Sequence, residues 1–89
     1  MNWDEFLTDR NEALLSLDKK KILAYYKKWD VDISKMPKDD VDFLFWVSIH
    51  KARTALKTLP MEARIYSKKW LHGAGFRSMD DGDVPLEAA

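Results

Sequence analysis

Trp46, His50 and Arg53 form the one constellation in this sequence whose residue types and spacing could do chemistry. Successive spacings of four and three residues set them along one face of a helix. A histidine beside an arginine could hold a phosphate or a carboxylate. The competing reading is structural: Trp46 packs in the core, His50 hydrogen-bonds locally at the core boundary, and Arg53 reaches a carboxylate of the first helix. That second reading is the stronger, because no activated nucleophile can be placed beside His50. Metal binding would need His72 and a carboxylate from elsewhere, and two unlinked histidines are a weak ligand set. The sequence therefore predicts no catalytic residue, no metal and no cofactor, and the chain is read as a non-enzyme.

The helix that must carry these residues is the most apolar part of the chain. It opens with Phe43-Leu44-Phe45-Trp46-Val47 and continues to Leu56. Apolar side chains on nearly every face require neighbours all round, so this is expected to be the central helix of a small bundle. Phe43, Trp46, Ile49 and Leu56 are the expected core, with His50, Lys51, Arg53 and Lys57 at the edge. The helix is predicted to start at Pro37 or Asp39 and to end near Thr58, where Leu59-Pro60 cannot continue it.

Three further helices surround it in sequence. The first is predicted from Trp3 to Leu17, capped by Asn2 with Glu5 three residues on, and striped by Trp3, Phe6, Leu7, Leu14 and Leu17. The second runs from Lys19 to Trp29 behind an Asp18 cap, with Ile22, Tyr26 and Trp29 as its apolar stripe. The fourth runs from Pro60 to His72, turning Ala63, Tyr66 and Trp70 inward, and Gly73 suits a left-handed terminus. Asp30 to Lys38 reads as a loop. Its alternating Asp30, Asp32 and Ser34 suggest a calcium loop, but Lys35 and Val41 stand where the turn glycine and the bidentate glutamate belong.

The 89 residues suffice for one domain without a disulfide framework, since cysteine is absent. Four Trp, four Phe and three Tyr supply large buried areas to a short chain. No apolar run approaches the length of a membrane span, and the acidic start Asn2-Trp3-Asp4-Glu5 lacks a signal-peptide core. Fifteen basic and fifteen acidic residues cancel, but in segregated blocks. Alternating blocks suit helices attracting one another better than one large cationic face. Lys27-Lys28 beside Trp29, and Lys68-Lys69 beside Trp70, offer the basic and aromatic mixture that nucleic acids accept, but zero net charge weakens that case. From Asp80 onward composition favours a loose acidic tail.

The run Phe45-Trp46 through His50-Lys51-Ala52-Arg53-Thr54-Ala55-Leu56, followed by Leu59-Pro60 and Ser67-Lys68-Lys69-Trp70-Leu71, resembles small proteins carried by phages and mobile elements of Gram-positive bacteria. The opening Arg10 to Ser16 has the same character. The resemblance implies a protein of the bacterial host cytoplasm. It implies no reaction, ligand or functional residue.

The reading is an all-α chain, a compact four-helix bundle over residues 1–78 with an acidic flexible tail at 79–89. Its expected function is binding, through a helical surface, to a host or phage protein. His50, Lys51, Arg53, Lys57, Arg64, Lys68 and Lys69 are the candidate contact residues, and self-association is a sub-case because eleven aromatics exceed what so short a chain readily buries. The alternative is a nucleic-acid accessory protein using the basic edges of the second to fourth helices. Neither reading involves a membrane.

Overall fold

A computed structural model describes residues 2–32 and 42–86. The expected all-α class is observed: α1 (Trp3–Ser16), α2 (Lys19–Lys28), α3 (Asp42–Ala55) and α4 (Met61–Gly73), with no strand among the described residues. They fall into two compact units, Met1–Met36 and Pro37–Ala89. The predicted start of the third helix at Pro37 or Asp39, and most of the proposed calcium loop, lie outside the described residues.

In the first unit the helix boundaries follow from local chemistry. The Asn2 side chain accepts from the Glu5 N–H at 3.1 Å, and the Asp18 side chain accepts from the Lys20 N–H at 2.9 Å. Each satisfies one of the amide groups left open at a helix start. α1 ends where Leu17 turns left-handed at φ 51°. α2 ends in a Schellman motif: Asp30, also left-handed, bonds back to Lys27, and Val31 N–H donates to Tyr26 O at 2.9 Å. Lys28 at the end of α2 meets Glu5 and Asp9 near the start of α1, so the two helices run antiparallel. Ala13, Leu14, Ile22 and Tyr25 are buried, whereas Trp3 stacks on Phe6 at 5.3 Å but remains largely exposed.

The second unit joins α3 to α4 through a tight turn at Leu59-Pro60, as the proline predicts. α3 stops at Ala55, three residues short of the expected end. α4 ends in a second Schellman motif, with Phe76 N–H donating to Leu71 O at 2.8 Å. Gly75, at φ 86°, is the left-handed residue there, while Gly73 is still helical. The motif turns the chain back, so that the Phe76 ring reaches Phe43 at 5.9 Å.

The register of α3 differs from the hydrophobic reading. Phe45, Val47 and Ile49 are buried, but so are His50, Arg53 and Thr54, while Phe43 is half exposed. Trp46 and Leu56 are intermediate. Small hydroxyl side chains explain the inversion. Thr54 on α3 and Ser67 on α4 are both fully buried. Their size lets the helices approach closely, and their hydroxyls satisfy polar neighbours that water would otherwise serve.

Residues 79–86 are no loose tail. Val84 is buried, and the Asp80 side chain is 2% exposed. Composition suggested disorder, but three acids of this segment meet three cations of α4 and the turn before it, and an apolar side chain fills the space beneath.

Candidate functional site

Seven positions were expected to contact a partner, and the structure separates them into three groups. His50, Arg53 and Arg64 are buried inside the second unit. Lys57, Arg64 and Lys68 are ion-paired to Asp81, Asp83 and Asp80, at 2.7, 2.9 and 3.1 Å respectively. Lys51 stands over the Phe76 ring at 5.6 Å, and Lys69 is exposed. The basic edge read from the sequence is thus largely covered by the chain's own acidic segment.

That cover is a built structure. Asp80 accepts from Lys68 Nζ, the Ser78 hydroxyl, Gly82 N–H at 3.0 Å and Val84 N–H at 3.3 Å. Burial alone would raise the Asp80 pKa. Hydrogen bonds from Ser78 and Lys68 outweigh it and hold the carboxyl well below the ordinary range. Lys68 also donates to Val84 O at 2.6 Å. Arg64 donates to Asp83 and to Thr54 O, the latter at 2.7 Å, and Met79 N–H donates to Thr54 Oγ1 at 2.8 Å. The bond from Arg64 lowers the Asp83 pKa as well.

His50 Nδ1 and Ser67 Oγ share a hydrogen bond of 2.9 Å between α3 and α4. This is the separation of a nucleophile and its base. Both groups are buried, however, and the imidazole is surrounded by Trp46, Tyr66 and Trp70 with no carboxylate among these neighbours to orient it. Burial, with the Arg53 charge second, pushes the His50 pKa down to about 4, so the ring is neutral near pH 7. The pair ties the two helices together. Among the described residues no three metal-ligating side chains converge, and His72 lies on α4 apart from His50.

Among the described residues Arg53 is paired with no carboxylate. Its Nη2 donates to Ala63 O at 3.3 Å, while its Nε and Nη1 are buried without a partner. The guanidinium lies 5.8 Å from the centre of the Tyr66 ring. From that ring an aromatic ladder runs across both helices: Tyr66 to His50 at 5.9 Å, His50 stacked on Trp70 at 4.3 Å, Trp70 to Phe43 at 5.8 Å, and Phe43 to Phe76. Two of its rings face solvent, with Phe43 50% and Tyr66 53% exposed. Sequence reasoning assigned both rings inward. Their spacing gave no warning, because the covered face of each helix is fixed with distant partners, His50 with Ser67 and Arg64 with the Thr54 carbonyl.

In the first unit, Asp9 accepts from Lys28 Nζ at 2.7 Å and from Trp29 Nε1 at 2.9 Å. These bonds, that from Lys28 foremost, lower the Asp9 pKa. The groove between α1 and α2, about 370 Å³, is floored by Ala13, Ala24 and Tyr25, and its rim charges Asp9 and Lys28 pair with each other.

No described helix is long and apolar enough to cross a membrane. Compared with protein-family models, curated proteins and solved structures, the chain matches none of them.

Proposed function

We propose that the chain is a binding protein whose α3–α4 face docks on another protein, the setting being the phage- or mobile-element-bearing bacterial cytoplasm that its sequence resembles. The aromatic ladder carries this reading. Phe43 and Tyr66 each leave about half of a large ring in water, and aromatic residues in such positions supply much of the binding energy at protein interfaces. The Phe43 ring is held between Trp70 and Phe76, so little side-chain freedom is lost when a partner covers it.

The nucleic-acid alternative has less support, because three of its cations, Lys57, Arg64 and Lys68, are already engaged by Asp81, Asp83 and Asp80. A photo-reactive phenylalanine analogue placed at Tyr66, in the cell that makes the protein, tests the docking. A discrete cross-linked protein that disappears when Phe43→Ser is added is the expected result. Cross-linking to nucleic acid, to the chain itself at twice its mass, or to nothing would overturn the reading.

A further inference from the structure

A buried guanidinium is costly unless its N–H groups are answered. Arg64 answers Nη1 with a carboxylate and Nη2 with a carbonyl, and leaves only Nε without a partner. Arg53, 3% exposed, has one carbonyl for Nη2 and nothing for Nε or Nη1. Nε–H, the Nη1 protons and the second Nη2 proton are left over, and a carboxylate across the edge that still carries that Nη2 proton would take two parallel hydrogen bonds, the other coming from Nε or Nη1. We propose that Arg53 is a carboxylate receptor at the end of the aromatic ladder, taking an aspartate or glutamate side chain of a partner segment whose neighbouring apolar residue lies on the rings.

Three observations select this ligand. The group over the guanidinium is the Tyr66 ring, itself 53% exposed and therefore able to turn aside at little cost in lost packing. Lys57, Arg64 and Lys68 are paired within the chain, so they add no open positive charge to that of Arg53. That matches a carboxylate monoanion better than a phosphate dianion, which gathers several cations. The approach is lined by rings, which favours an acid carried beside an apolar group.

The inference rests on the docking face proposed above, but its test uses the isolated chain and no partner, so either can fail alone. Phenylpropionate is titrated into isotope-labelled protein, with its neutral amide and inorganic phosphate as controls, while the Arg53 Nε–H resonance is followed by nuclear magnetic resonance. The acid is expected to move that resonance downfield and to bind about tenfold more tightly than the amide, the usual advantage of a charge-assisted hydrogen bond. Arg53→Lys should abolish the preference for acid over amide. An unmoved Arg53 resonance, equal binding of the amide, or a larger response to phosphate would overturn the assignment. The wild-type titration decides the matter even if Arg53→Lys fails to fold.

Discussion

Deleting residues 80–89 should markedly destabilise the second unit, although composition alone would call this segment dispensable. Two losses can be worked from the structure. Val84 is 1% exposed, and returning a valine side chain to water costs about 1.5–3 kcal/mol. Arg64, 2% exposed, loses Asp83 at 2.9 Å, and breaking a buried pair by removing one partner costs about 3–5 kcal/mol. The terms overlap, so about 4 kcal/mol is a fair total, against the 5–15 kcal/mol of a typical domain. In a chain of this size each kcal/mol moves the melting temperature by about 4–8 °C. Urea denaturation of the full and truncated chains, followed by circular dichroism, gives the difference. The point variant Asp83→Asn, which keeps shape and removes charge, should show a substantial part of it. A truncated chain with the same midpoint and slope would mean that the ion pairs and the Val84 contact contribute nothing, and would refute the argument.

Three other outcomes follow from local features. The folded His50 has its pKa lowered to about 4, so between there and its unfolded value near 6.5 the unfolded chain binds the extra proton. Stability should therefore fall by about 3 kcal/mol as the pH drops through that window, and His50→Asn should flatten the slope in pH-dependent urea titrations. Asp30 is exposed and left-handed at φ 51°, so Asp30→Gly should raise stability by about 1 kcal/mol in a thermal melt. Ser67 has no free space around it, so Ser67→Leu should cost about 1–3 kcal/mol or more by overpacking, whereas Ser67→Ala should lose only the bond to His50, about 1 kcal/mol.

The helices were legible in the sequence because caps and breakers act locally. Asn2, Asp18 and Pro60 mark helix starts by chemistry confined to a few neighbours, and the structure keeps all three. What the sequence concealed depends on distant partners. Phe43 looked like core and His50 and Arg53 like edge, since hydrophobicity ranks side chains without knowing that His50 will meet Ser67 and Arg64 the Thr54 carbonyl. Asp80, Asp81 and Asp83 looked like solvated acids, since nothing local pairs them with Lys68, Lys57 and Arg64. One signal was present: Val84, an apolar residue among acids, preceded by the Asp-Gly turn that lets Asp80 accept from Gly82 and Val84.

The hydroxyl-lined seam between α3 and α4 has a consequence for the uniqueness of the fold. Two helices joined only by interchangeable aliphatic side chains can slide by one turn and recover most of their contacts. Here a slip of one turn would separate His50 from Ser67 and Arg64 from the Thr54 carbonyl, leaving several dehydrated polar groups without acceptors at once. Neighbouring alignments are thereby excluded by cost, and the second unit gains a single register from side chains that add little to its hydrophobic driving force.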